Sequence, residues 1–221
     1  MEIRENVRAL NNLFRSQVKL IAVSKTRSLE EMELAYLEGI RDFGENKVQE
    51  LVDKHEKFHT DVRWHLIGHL QRNKVKYIVG KVYLIQSLDS LRLLDEIEKQ
   101  YAKENKIANV LIQINIAKDP NKSGAFEEEI DEMISAIENC KYVKAKGLMA
   151  VIPKGDEVEC RNYFGKMKGI FENLSSKKLK NVTMEYLSMG MTGDYMWAVK
   201  EGSNVVRIGE GIFGKRNYNN I

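Results

Sequence analysis

The chain is short of the residues that interrupt or staple a fold. Only two of its 221 residues are proline, Pro120 and Pro153, and no Pro/Gly/Ser-rich stretch divides it. A linker is therefore not expected, and residues 1–221 read as a single domain. Two cysteines, Cys140 and Cys160, stand far apart, giving neither a C-x-x-C pair nor a disulfide framework. No apolar run approaches the ~20 residues that a spanning helix needs. Met1 to Phe14 alternates charged and apolar residues at helical spacing and lacks the apolar centre of a secretory signal. Charge of one sign is scarce as well. Against 35 basic side chains stand 32 acidic ones, for a net charge of +3. That mixture leaves no electrostatic footprint for nucleic acid and no polybasic patch for a membrane. The expectation is a cytoplasmic protein with neither of those partners.

What is present is a globular composition, 43% hydrophobic and 30% charged, in a chain long enough to bury a large core. Helical spacing covers Ile3 to Ser16. Val18 to Val23 is then a short, apolar, β-branched run that reads as a buried strand. Leu29 to Leu37 has helical periodicity and stops at Gly39, a C-cap signal. The alternation continues with strands near Ile40–Phe43, Arg63–Ile67, Val82–Gln86, Asn109–Ile116, Val143–Ala150, Val182–Leu187 and Asn204–Ile208. Helices are expected from Glu45 to Lys57, Gln71 to Val79 and Leu91 to Glu104, within Phe126–Asn139, from Glu157 to Leu174 and within Thr192–Glu201. Eight strands joined by helices imply an α/β fold with a parallel sheet, because each crossover is right-handed and carries a helix. Eight units close as a (β/α)8 TIM barrel or stay open as a doubly wound sheet; eight is the closing number, and the closed form is favoured.

A barrel does its chemistry where strands end and loops begin. The first strand ends in Ser24-Lys25-Thr26, the second in Gly44-Glu45-Asn46, and the third in His65 with Gly68 beyond it. The sixth delivers Gly147-Leu148-Met149, the seventh Leu187-Ser188-Met189-Gly190-Met191, and the eighth Arg207-Ile208-Gly209-Glu210-Gly211. Polar and glycine residues on one rim suit a phosphorylated or anionic small ligand. A lysine that closes a strand is ordinarily a solvated group, but at the mouth of a dry barrel desolvation turns it into a nucleophile for an aldehyde. Ser188 to Thr192 sets small residues before a helix, where backbone N–H groups hold an anion, and Gly209 and Gly211 add more. The same glycines also read as plain turn residues. Arg207, near the end of a buried strand, needs either a carboxylate or a ligand atom as its partner.

In order along the chain stand Ala22-Val23-Ser24-Lys25-Thr26, Phe43-Gly44-Glu45-Asn46, Trp64-His65-Leu66-Ile67-Gly68 and Leu111-Ile112-Gln113-Ile114-Asn115. Gly147-Leu148-Met149, Leu187-Ser188-Met189-Gly190-Met191 and Arg207-Ile208-Gly209 through Ile212-Phe213-Gly214 follow. Together, from about Val7 to Tyr218, they resemble the pyridoxal phosphate homeostasis proteins, a family once described as alanine-racemase-like. The resemblance implies a fold-type-III barrel without the racemases' second β-domain, with pyridoxal 5'-phosphate as cofactor and Lys25 as its Schiff-base lysine. It implies cofactor contacts at Asn46, His65 and Met149, phosphate contacts at Ser188, Met189, Gly190 and Gly209, and Arg207 facing the pyridine nitrogen. Two positions depart from the family pattern. Glu210 replaces a small hydroxyl residue, so its N–H is expected to serve while the carboxylate points away. His69 stands where proline is common.

Two motif matches fail on context. His55-Glu56-Lys57-Phe58-His59 fits the zinc-protease pattern H-E-x-x-H, but it falls at the end of a helix on the opposite face from the rim, with no third ligand in view. No metal is expected. Gly209 to Gly214 fits G-x-G-x-x-G but opens no βαβ unit. Trp64 and Trp197 read as packing residues.

Two functions remain, a carrier that stores or delivers the cofactor and an amino-acid racemase. The related racemases add a second base, a tyrosine; Tyr186, Tyr195 and Tyr218 are expected near the rim but match no such motif. A cationic Arg207 beside the pyridine nitrogen disfavours ring protonation and weakens the electron sink, a feature that the racemases share. The carrier without catalytic turnover is the favoured reading, with apoenzymes that use the cofactor as partners and a monomer as the expected state.

Overall fold

A computed structural model describes residues 2–15 and 17–215. Helix α1 (Glu2–Phe14) leads into β1 (Lys19–Val23), α2 (Leu29–Leu37), β2 (Asp42–Glu45), α3 (Val48–Lys57) and β3 (Arg63–Leu66). A 3-10 helix (Arg72–Tyr77), β4 (Leu84–Leu88), α4 (Leu91–Lys103) and β5 (Ala108–Ile114) follow. A 3-10 turn (Glu127–Glu129) then precedes α5 (Ile130–Glu138), β6 (Val143–Ala150), α6 (Glu157–Ser175) and β7 (Val182–Ser188). The last elements are α7 (Tyr195–Lys200), β8 (Val205–Ile208) and the short α8 (Glu210–Phe213).

The strands pair in sequence order and the sheet closes, β1 lying parallel to β8 with Lys19 opposite Val205 and Ile21 opposite Arg207. The expected (β/α)8 barrel is thus the observed fold. Local chemistry sets several helix starts. Ser28 caps α2 in a reciprocal box with Glu31, and Asp156 does the same for α6 with Glu159; each box satisfies two backbone donors that the first turn leaves open. Between barrel and helices lies the main apolar layer, with Leu20, Ala22, Phe43, Trp64, Leu66, Val110, Ile112, Leu148 and Ile208 all buried. The smaller inner cluster is Leu84, Leu111 and Met149. The interior also holds buried polar side chains: Asp42, His65, Gln86, Ser188 and Arg207.

One crossover differs from expectation. Gln71 to Val79 was expected to be α-helical, yet Arg72–Tyr77 is a 3-10 helix. Its only buried residue is Val75, flanked by Lys74 and Lys76, so no apolar stripe runs the two or three turns that an α-helix of this length needs from its packing. β2 also begins two residues late and takes in Gly44 and Glu45.

Where β6 meets β7 the register shifts, and Gly147 sits in that irregularity with φ +144°. A Cβ there would lie 1.9 Å from the Tyr186 carbonyl oxygen, a backbone atom that cannot swing aside. Gly147→Ala should therefore destabilise the fold by roughly 3 kcal/mol or more, read as a lowered urea midpoint. An unchanged midpoint would mean that the strands separate easily at this point.

Candidate functional site

Five buried side chains form a hydrogen-bonded chain through the barrel. Arg207 Nη1 donates to Ser188 Oγ at 2.6 Å, and Ser188 donates to Gln86 Oε1 at 2.7 Å. The Gln86 amide meets His65 Nδ1 at 3.1 Å, and His65 Nε2 meets Asp42 Oδ1 at 2.8 Å. Asp42 also accepts two bonds from Arg63, at 2.9 and 2.5 Å, with Lys19 Nζ 3.8 Å away. Read from Arg207, every donor points the same way. His65 then carries its proton on Nε2 and accepts at Nδ1 from Gln86.

The charges fit that assignment. Burial opposes ionisation of Asp42, but the bonds from Arg63 and His65 outweigh it and hold the carboxyl far below the usual carboxylate range. Burial pushes the His65 pKa down, and the cations Lys19 and Arg63 add to the effect against the opposing pull of Asp42; the ring stays neutral. Burial lowers the Arg207 pKa to about 10, which leaves it charged at neutral pH. Its hydrogen-bond acceptors are the Ser188 hydroxyl and the Ala150 carbonyl at 2.8 Å. Among the described residues no carboxylate lies within ion-pair distance of this guanidinium; Asp194 attracts it only from farther off.

Above this chain lies the rim. Lys25 is half-buried in the turn after β1, and Asn46 is half-buried after β2. Gly68 allows Asn46 its position, since a Cβ there would lie 2.4 Å from the Asn46 carbonyl oxygen. Gly190 has φ +96°, a left-handed conformation that favours glycine, and a Cβ would sit 2.7 Å from the Ala198 Cβ. A Cβ at Gly209 would lie 3.4 Å from the Val23 carbonyl oxygen, and Gly211 N–H donates to Thr192 Oγ1 at 3.2 Å. These contacts bring the end of β1, the β7–α7 turn and the β8–α8 turn together. Glu210 is exposed.

His65 lies inside the barrel on β3, with both ring nitrogens engaged. The Ser188 hydroxyl bonds Arg207 and Gln86. The Met189 side chain packs in the outer core and its N–H donates to Val205 O at 3.1 Å. Met149 belongs to the inner apolar cluster. Tyr186 stands not at the rim but at the opposite end of the barrel, its hydroxyl 3.3 Å from that of Tyr83 and its ring beside Lys19. Tyr195 packs edge-on against Phe14, and Tyr218 is outside the described residues.

His59 bonds to Glu33 at 2.6 Å and stacks on Tyr36. No group of three metal-ligating side chains occurs among the described residues, and no described helix is long and apolar enough to cross a membrane.

Sequence reasoning did not find a second network around Lys25. The Lys54 amine donates to Ser24 O, Glu45 Oε1 and Glu50 Oε1 at 2.7, 2.9 and 2.8 Å. Ser24 Oγ donates to Glu45 at 2.6 Å, and Thr26 N–H donates to Glu50 at 2.6 Å. Thr26 has φ +66°, a left-handed conformation that costs a β-branched residue about 1–2 kcal/mol. The i, i+4 spacing of Glu50 and Lys54 was the available signal.

A closed parallel barrel with a lysine after its first strand and a buried arginine on its last has the architecture of the alanine racemase barrel. A family model described as "Alanine racemase, N-terminal domain" matches residues 1–217. Relatives named pyridoxal phosphate homeostasis protein are 41% identical in Aquifex aeolicus, over 90% of this chain and 88% of that protein, and 41% identical in Haemophilus influenzae, over 94% and 89%. The chain belongs to the pyridoxal phosphate homeostasis protein family. Among solved structures, PipY of Synechococcus elongatus PCC7942 with PLP bound superposes with a TM-score of 0.87 at 29% identity, covering 96% of this chain and 100% of that one. An alanine racemase of Clostridium difficile 630 shares the fold, with a TM-score of 0.79 at 17% identity, and 57% of that chain is covered.

The interior chain makes two predictions. Ser188→Ala strands the Arg207 guanidinium and the Gln86 amide, and should lower the stability of the ligand-free protein by roughly 1–3 kcal/mol in denaturant unfolding; no loss would mean that the hydroxyl is not part of the chain. The second concerns acid. His65 has a native pKa below its ordinary 6.5, so below pH 6.5 the unfolded state takes up a proton that the native state refuses, and stability falls. Asp42, depressed from 3.8, adds its loss only below about pH 4. Stability should be flat from pH 8 to about 6.5 and then decline. His65→Gln should reduce the upper part of that slope, leaving the smaller share from His55, whose pKa burial also lowers; a slope unchanged in the variant would assign it elsewhere.

Proposed function

We propose that this chain binds pyridoxal 5'-phosphate as a Schiff base on Lys25 and acts in intracellular homeostasis of the cofactor, storing it and delivering it to apoenzymes. The observation that carries this reading is the meeting of three elements at one rim: the strand end that bears Lys25, the turn with Gly190, and the turn with Gly209 above Arg207. Family membership and the PLP-bound state of PipY support it.

The residues fit the group. When bound, the cofactor supplies an electrophilic aldehyde, an anionic phosphate and an electron-withdrawing pyridine ring. Gly190 and Gly209 allow close backbone approach for the phosphate, Asn46 borders the rim, and Met149 offers an apolar surface from the inner cluster. Arg207 is a buried cation whose described hydrogen-bond acceptors are neutral, and such a charge gains from a lone pair brought to it. Ser188 fixes the guanidinium directly, and His65 supports it through Gln86 and Ser188.

The carrier reading is favoured over a racemase. Tyr186 is engaged at the far end of the barrel and the Tyr195 ring packs on Phe14, so neither is assigned as a second base. A fixed cation at the pyridine nitrogen keeps the ring a weak electron sink, a feature that the racemases share and that does not by itself separate the two readings.

The protein should purify yellow, and borohydride reduction followed by peptide mapping should place the adduct on Lys25. An adduct mainly on another lysine would overturn the assignment. Mixed with an apoenzyme that requires the cofactor, the loaded protein should restore activity, and Lys25→Ala should change the amount delivered. Rapid Lys25-dependent deuterium exchange at the α-carbon of L-amino acids, with conversion to the D-form, would instead establish a racemase.

A further inference from the structure

The buried ions around Lys25 form an arrangement that folding alone does not require. Lys54 is 6% exposed and Glu45 fully buried, and Glu45 Oε2 has no hydrogen-bond partner among the described residues. Charges in such a place cost desolvation, and a well-packed apolar pair would serve stability as well or better. What the ions contact is specific. Lys54 holds the carbonyl of Ser24, Glu45 holds its hydroxyl, and Glu50 holds the amide of Thr26. The residues on both sides of Lys25 are thus tied to α3 and β2, while Lys25 stands between them. Thr26 is kept in its left-handed conformation by the bond from its amide to Glu50.

We infer that Glu45, Glu50 and Lys54 are positioning residues for Lys25. They clamp the strained turn that carries it, so that its amine meets an incoming aldehyde from one fixed backbone geometry. The inference rests on the reading of Lys25 as the Schiff-base lysine. Fixing a reacting group in advance is the usual way that a supporting layer of residues raises affinity and rate.

The test is a double-mutant cycle on the full-length protein, titrated with pyridoxal 5'-phosphate and read by its visible band. Glu50→Ala removes the acceptor that stabilises Thr26, and the affinity should fall roughly tenfold, the size of the left-handed penalty. In a Thr26→Gly background that conformation carries no penalty, so the same Glu50→Ala change should cost less than about threefold. A role confined to stability would give equal losses in both backgrounds, and that result would overturn the inference. Lys54→Met alone strands the Glu45 carboxylate and risks misfolding, so the neutral pair Glu45→Gln with Lys54→Met is the second variant. It should keep its thermal unfolding midpoint while borohydride adducts spread from Lys25 to other lysines. A folded pair variant labelled on Lys25 alone with unchanged affinity would also overturn the clamp. An adduct away from Lys25 in the unmodified protein would instead remove the proposed function, and the clamp with it.

Discussion

A guanidinium sealed inside a barrel is the constraint from which the rest of this interior follows. Arg207 is 3% exposed and remains charged at neutral pH. Removed from water, it must be met by dipoles that cannot turn away. Ser188 and Ala150 meet it directly, but a hydroxyl that accepts from Arg207 must itself donate, and that requirement passes to Gln86, His65 and finally Asp42. The chain ends only at a carboxylate with cations of its own, Arg63 and Lys19. A positive group near the rim is thus balanced by a negative one toward the far end, with oriented neutral dipoles between them. Reversing any single donor would leave two groups facing each other with the same polarity.

This constraint explains why the lower end of the barrel is crowded with polar and aromatic side chains. Asp42 must stay ionised to close the chain, and burial alone would protonate it. Arg63 supplies the compensating bonds, and Tyr83 and Tyr186 pack beside Arg63 and Lys19. Tyr186, expected near the rim, is therefore part of the base that stabilises the interior. Position along β7 decides this: Tyr186 lies opposite Gly147, two residues before Ser188, and strand alternation puts the two side chains on the same face.

Much of the fold was legible in the sequence because its signals are local. β-branched runs, helical spacing and glycine stops each act within a few residues, and eight repeats of one pattern leave few ways to arrange them. Lys25 and Arg207 were legible as strand-end residues of types that a dry interior has reason to avoid. The networks were not legible. Successive members of the interior chain are separated by 23, 21, 102 and 19 positions, so only closure of the barrel joins them. The same gap hides the partners of His65 and Ser188: the motif marks both residues, but only the closed barrel brings each to Gln86. Met189 shows the limit most plainly, since strand parity sends its side chain outward whatever its neighbours do.

The two polar networks divide the work differently, and their composition shows it. The chain to Arg207 uses neutral dipoles between two fixed charges, which suits a group whose charge state must not change. The network at Lys25 packs three ionisable side chains into one place and acts on backbone atoms, which suits a group whose own chemistry must change while its location does not. Burial raises the Glu45 pKa against the opposing pull of Lys54, so that site is close to its limit for holding charge. The Schiff-base role proposed for Lys25 calls for this arrangement: strain at Thr26 and buried ions beneath it are tolerable because the surrounding barrel, with its continuous outer core, is stable enough to hold them.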